Sequence, residues 1–277
     1  MKKIITLVNL IAIAAGFAQA GAPAAPYYNN FNWNQTGTSL KSALTTKITS
    51  THTKSLNYTS PQPSVWNALK NADVDPNNSN NVLLIYGWEN GSDSDVTNDR
   101  SRSKNSNGGS NGEWNREHVY AQSVGNPDLG QTGPGADAHH LRASDVQRNN
   151  SRGNRLFTAG SGNSGPVGLY WYPGDEWKGD VARMMMYMYL RYGSQCLPTA
   201  IGTGTTVASD ANMLNLFLQW NAEDPVSPYE DYRNTYLGNS SNTYGQGNRN
   251  PFIDNPFLAT VIWGGPVAEN RWPNLFL

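Results

Sequence analysis

The segments Trp114-Asn115-Arg116-Glu117-His118, Asp137-Ala138-His139-His140-Leu141-Arg142 and Asp145-Val146-Gln147-Arg148-Asn149-Asn150-Ser151-Arg152-Gly153-Asn154 decide the reading of this chain. Within one short span they combine an adjacent acid–histidine pair, a pair of neighbouring histidines, two candidate asparagine ligands and several arginines. This inventory suits metal-assisted attack on a phosphodiester. Carboxylate and amide oxygens are hard ligands, a neutral imidazole is a base for water, and guanidinium groups pair with phosphate.

The local pattern says how such groups are carried. Residues 113–122 read as extended and residues 124–136, rich in Gly, Pro and Asp, as loop. Ser144 is the expected helix N-cap and Gly153 the stop, giving a short helix over 145–152. Asp145, Asn149 and Arg152 then share one face. Neighbours on a strand point to opposite faces, so Glu117 and His118 share a site only where the strand ends or twists. The loop that begins soon after Ala121 offers such an end. One carboxylate from Glu117 and one amide oxygen from Asn149 leave positions open for water and phosphate. That suits Mg²⁺, with Mn²⁺ or Ca²⁺ as other occupants, better than a closed zinc site. His118 is the expected base, with activity rising through about pH 6 to 7 as the imidazole loses its proton. Arg142 or Arg152 is expected to assist it. Arg116, Arg148, Arg155 and Asn154 are candidate phosphate contacts, against the competing reading of plain ion pairs. For His139 and His140, buried hydrogen bonding competes with zinc ligation.

The rest of the chain describes the housing. Lys2 and Lys3, an apolar run to about Phe17 and Ala18-Gln19-Ala20 form a secretory signal over residues 1–20. Residues 21–277 are expected to be a single soluble domain outside the cytoplasm, with no membrane contact. The one cysteine, Cys196, excludes an internal disulfide framework. Formal net charge is −1 and becomes −3 once Lys2 and Lys3 leave, which argues against a passive nucleic-acid coat. Residues 100–155 nevertheless hold eight Lys/Arg against five Asp/Glu, a local basic patch. Helices are expected over 39–51, 61–71, 181–192, 210–220 and 225–236, a strand over 82–88, and a polar loop over 92–112. The run Met184-Met185-Met186-Tyr187-Met188 reads as core filler rather than a metal site.

The three opening segments resemble the endonuclease I family, secreted or periplasmic nucleases built on a ββα-metal finger. Gly179-Asp180-Val181-Ala182-Arg183-Met184, Asp224-Pro225-Val226 and Gln246-Gly247-Asn248-Arg249-Asn250-Pro251-Phe252-Ile253-Asp254 extend the likeness to most of the chain after residue 82. The resemblance implies an α+β fold with a ββα-metal (His-Me finger) core surrounded by helices and long loops. It assigns the metal to Glu117 and Asn149 and water activation to His118. The expected function is a secreted, Mg²⁺-dependent, non-specific endonuclease acting as a monomer on DNA, with RNA as a further candidate substrate, and leaving 5′-phosphorylated oligonucleotides. Two rivals stand beside it. One is a metal-independent ribonuclease pairing His118 with His139 or His140. The other is a non-catalytic extracellular binding module.

Overall fold

A computed structural model describes residues 21–276. The signal expected over residues 1–20 lies outside the described residues. Helix α1 (Gly37–Ser50) buries Leu40, Leu44 and Ile48, and α2 (Val65–Ala72) buries Val65, Ala68, Leu69 and Ala72. These spacings put one apolar stripe on each helix. An antiparallel sheet follows, of β1 (Val74–Asp75), β2 (Asn78–Leu83) and β3 (Ser101–Ser103). The strand expected over 82–88 therefore begins earlier and stops at Leu83. Beyond it the chain turns, and Tyr86 takes a φ of 73°, which no strand tolerates. β3 lies inside the stretch that reads as polar loop, paired to β2 through Asn81, Val82 and Leu83.

The stretch that decided the sequence reading forms strand β4 (Trp114–His118), strand β5 (Leu141–Asp145) and helix α3 (Val146–Arg152). The two strands are antiparallel, with Glu117 opposite Arg142 and His118 opposite Leu141. The cap of α3 is Asp145 rather than Ser144. Its carboxylate accepts from the Arg148 backbone N–H at 2.8 Å, while Ser144 stays in β5 opposite Asn115. Gly153, at φ 55°, ends the helix where expected.

A hairpin of β6 (Gly165–Val167) and β7 (Tyr170–Tyr172) leads to α4 (Lys178–Tyr192). The methionine run of α4 is fully buried in the larger apolar cluster. After α5 (Pro198–Ile201) come β8 (Thr206–Val207), β9 (Asp210–Leu214) and α6 (Asn215–Glu223), so the helix expected over 210–220 is a strand followed by a helix. Asp210 accepts from Lys41 Nζ at 2.6 Å and Trp263 Nε1 at 3.0 Å, tertiary ties that override helical propensity. Helix α7 (Pro228–Gly238) starts with a capping box of Ser227 and Glu230. Short helices α8 (Pro251–Asp254) and α9 (Phe257–Trp263) follow. Among the described residues no helix is long and apolar enough to cross a membrane.

The β4–β5 hairpin lies against a smaller apolar cluster that includes Val65, Leu69, Trp114, Leu141 and Ala143. A buried ionic network fixes its back. Arg142 donates to Asp180 at 2.9 Å and to the Tyr229 hydroxyl at 2.6 Å, and Asp73 accepts from the Ala143 N–H at 2.8 Å and from Arg233 at 2.8 Å. Arg183 holds Glu230 through two bonds, at 2.6 and 2.9 Å. Removing one partner of such a pair strands a buried charge, at about 3–5 kcal/mol.

His139 and His140 are sealed into this framework. His139 Nε2 donates to the Asn248 carbonyl at 2.9 Å and His140 Nε2 to the Pro134 carbonyl at 2.7 Å. Burial pushes both imidazoles down to about 4. Unfolding exposes them to water, where they take up protons below about pH 6.5. Their contribution to stability is therefore present above that pH and is lost as pH falls toward 4, at up to about 1.4 kcal/mol per pH unit for each histidine. Urea-unfolding free energies between about pH 4.5 and 6.5 should show a shallower slope for His140→Gln than for the parent protein. Equal slopes would mean that His140 is not held neutral by burial.

Candidate active site

Strand alternation in β4 sorts its side chains between two neighbours. Trp114, Arg116 and His118 face α2 and the loop before it. Trp66 and Trp114 lie 5.2 Å apart by ring centroid, and Tyr58 and His118 lie 5.3 Å apart. The Arg116 guanidinium sits 3.6 Å from the Tyr58 ring and 4.3 Å from the Trp66 ring. Asn115 and Glu117 face α3 instead. Asn149 Nδ2 donates to Asn115 Oδ1 at 2.7 Å, and Arg152 Nη1 stands 3.4 Å from Glu117 Oε1. β4 ends at His118, and there both faces open into one cleft lined by Arg116, Glu117, His118, Asn149 and Asn154, among others.

Glu117 is only 2% exposed. Burial raises its carboxyl to about 7, although the Arg152 charge and the Tyr86 hydroxyl, donating at 3.0 Å, both favour the anion. A carboxylate held this far from neutral-pH comfort is suited to meet a cation. Asn149 engages its amide N–H₂ with Asn115, which leaves its Oδ1 without a protein partner among the described residues. Among the described residues no three His, Cys, Asp or Glu side chains gather around one metal position. The donors on offer are one carboxylate and one amide, hard oxygens with room for water and phosphate.

His118 Nε2 donates to the Gly135 carbonyl at 2.9 Å, which sets the tautomer and leaves the Nδ1 lone pair without a protein partner among the described residues. The carbonyl is held in place by a tight turn: a Cβ on Gly135 would collide with the Gly130 carbonyl. Burial, and then the neighbouring His140, push the His118 imidazole down to about 3. Burial thus favours the neutral imidazole in the empty cleft, the form a base needs.

The arginines are sorted by their partners. Arg142, expected to assist catalysis, does not reach the cleft. It is fully buried behind β5 on Asp180, Tyr229 and Asp73. Arg152 lies beneath the cleft, donating to the His118 carbonyl at 3.1 Å and the Val119 carbonyl at 2.7 Å, and is not free to meet substrate. Arg148 stacks on Trp88 at 4.3 Å and donates to the Thr97 and Ser164 carbonyls, away from the cleft. Arg155 turns back onto the Ser151 carbonyl. Arg116 and Asn154 line the cleft. His139 and His140 do not.

Tyr86, Asn115, Gly135 and Tyr58 carry no signal in the sequence reading. Asn115 alone was within reach, since it precedes Glu117 by two residues and so shares its strand face. The others come from distant segments brought together by folding.

The chain belongs to the endonuclease I family, whose description "Endonuclease I" matches residues 36–257. It is 45% identical over 247 residues to an extracellular ribonuclease of Bacillus amyloliquefaciens, covering 86% of this chain and 78% of that relative. An extracellular ribonuclease of Bacillus subtilis (strain 168) is 44% identical over 258 residues, covering 87% and 82%.

The cleft geometry separates two neighbouring asparagines. Asn149 lines the cleft, whereas Asn150, about 100° further round the helix, is exposed. Asn149→Ala should lower nuclease turnover by about 10²-fold or more, the worth of several kcal/mol of electrostatic stabilisation. Asn150→Ala should keep most of it. Parallel assays of the two variants check this, and a dead Asn150→Ala with an active Asn149→Ala would move the site by one residue.

Proposed function

We propose that the protein is a secreted, Mg²⁺-dependent, non-specific endonuclease that hydrolyses phosphodiester bonds in DNA and RNA to 5′-phosphorylated oligonucleotides. The observation that carries this reading is the meeting of Glu117, Asn149 and the free Nδ1 of His118 in one cleft. Glu117 and Asn149 Oδ1 would hold the divalent ion. When bound, that ion would supply electrostatic stabilisation of the charge that builds on the phosphate.

His118 does the proton work. Nδ1 takes a proton from water as its oxygen forms a bond to phosphorus, the bond to the 3′-oxygen breaks, and that oxygen takes a proton from solvent, leaving a 3′-hydroxyl and a 5′-phosphate. The imidazole is a weak base in the empty cleft, but an arriving phosphate anion favours its protonated form. The Gly135 carbonyl accepts from the opposite ring nitrogen throughout, so the ring keeps its orientation. Water as nucleophile needs no 2′-hydroxyl, which makes both nucleic acids substrates. The printed names of the relatives, extracellular ribonucleases, support RNA among them and support secretion, as does the residue pattern of positions 1–20.

The rival of a metal-independent ribonuclease needs a second histidine at the cleft. His139 and His140 are buried to within 1% and face backbone carbonyls, so neither can share a substrate with His118.

Purified mature protein incubated with plasmid DNA, and separately with RNA, should nick and then degrade both in Mg²⁺ and neither in EDTA. His118→Ala should lose about 10²–10⁴-fold in turnover while still binding oligonucleotide. Full activity in EDTA, or 2′,3′-cyclic phosphate ends on RNA, would overturn the mechanism.

A further inference from the structure

Arg116 is a cleft residue whose charge no anion meets. Its guanidinium is held between the Tyr58 and Trp66 rings and donates to the Tyr58 carbonyl and to Thr59 Oγ1 at 3.3 Å. Its Nε is buried with no hydrogen-bond partner, and no carboxylate pairs with it among the described residues. Arg148 and Arg155 also meet only backbone carbonyls, but neither lines the cleft, and the other arginines nearby differ. Arg142 and Arg152 face Asp180 and Glu117, and Arg102 holds Asp145 at 2.7 Å. A partly desolvated guanidinium with no counter-ion is unfavourable unless an anion arrives. The aromatic sandwich fixes its plane in advance and, with Nη1 engaged and Nε buried, leaves Nη2 to donate to a phosphate oxygen.

Its position along β4 says which phosphate. Arg116 and His118 share a strand face two residues apart, roughly 6.6 Å along the strand. That is close to one nucleotide step of an extended backbone. With the scissile phosphate at His118, the neighbouring phosphate falls at Arg116.

We propose that Arg116, braced by Tyr58 and Trp66, is a binding subsite for the phosphate adjacent to the scissile one, so that the substrate is a strand with at least two consecutive phosphodiesters. This inference rests on the reading of the cleft as a phosphodiester-hydrolysing site. Arg116 acts in binding, and the proton transfer remains with His118.

The test uses trinucleotides with two linkages, of which one is a phosphodiester and the other a neutral methylphosphonate placed on its 5′ or its 3′ side. In the parent protein with Mg²⁺, neutralising one of the two sides should lower kcat/KM by about 10–100-fold, the worth of a hydrogen bond to a charged group. In Arg116→Gln the same replacement should change kcat/KM by less than about twofold, because the interaction is already gone. The dependence of log Kd on log salt should also fall by about one unit of slope. Binding of the same trinucleotides to His118→Ala and to the His118→Ala, Arg116→Gln double variant reads the subsite without turnover, and Arg116→Lys, which keeps the charge, should lose less than Arg116→Gln. A parent protein indifferent to both neutral positions, or an Arg116→Gln variant as sensitive as the parent, would overturn the subsite. Failure to cut the all-phosphate trinucleotide would instead count against the nuclease reading, and the binding series would still decide the role of Arg116.

Discussion

Arg152 ties the end of β4 to α3, and the cleft depends on that tie. Its guanidinium is fully buried and performs three tasks at one place. It satisfies the carbonyls of His118 and Val119 where the ladder stops, it faces Glu117 at 3.4 Å, and it packs 4.7 Å over the Phe157 ring. Without it Glu117 would be a buried carboxylate with no cation, at a cost of about 3–5 kcal/mol. With it, Glu117 can carry a charge in a dry place, and α3 is fixed so that Asn149 meets Asn115. The geometry of the donors follows from a residue that touches none of the chemistry.

The opposite wall is organised by histidines acting as neutral donors. His118 and His140 reach successive carbonyls, those of Gly135 and Pro134, from the end of β4 and from the turn just before β5. Burial keeps both rings unprotonated, so each has one N–H to give and one lone pair left over. For His140 the lone pair is buried and unused. For His118 it has no protein partner among the described residues, and the proposed mechanism uses it as the base. The same neutral donor chemistry thus serves both residues, and they differ in that His118 lines the cleft and His140 does not.

The sequence was most legible where chemistry and local geometry coincide. Glu117, His118 and Asn149 lie within one strand–loop–strand–helix span, so spacing and alternation already bring them together, and an antiparallel pair followed by a helix is what forms. Arginine roles were not legible, because a guanidinium on a long side chain takes whichever carboxylate the tertiary fold presents. Arg142 meets Asp180 and Asp73, distant in sequence, and nothing in its own motif announces them. Residues 82–88 misled for a related reason. The run is apolar because it is buried, yet Tyr86 turns the chain to place its hydroxyl on Glu117. At residues 210–220 helical periodicity lost to the side-chain ties of Asp210. At α3 the cap moved by one residue because Asp145, held by Arg102, is already oriented to accept from the helix.

The central claim is that β4 presents an oxygen ligand on one face and a base on the other, meeting at the strand's end. The most direct measurement is anomalous scattering from crystals of the mature protein soaked in Mn²⁺. The account predicts one peak in the cleft, bonded to a Glu117 carboxylate oxygen and to Asn149 Oδ1, with both nitrogens of His118 off the metal and Nε2 still on the Gly135 carbonyl. A peak ligated by His118, or by the buried pair His139 and His140, would contradict it.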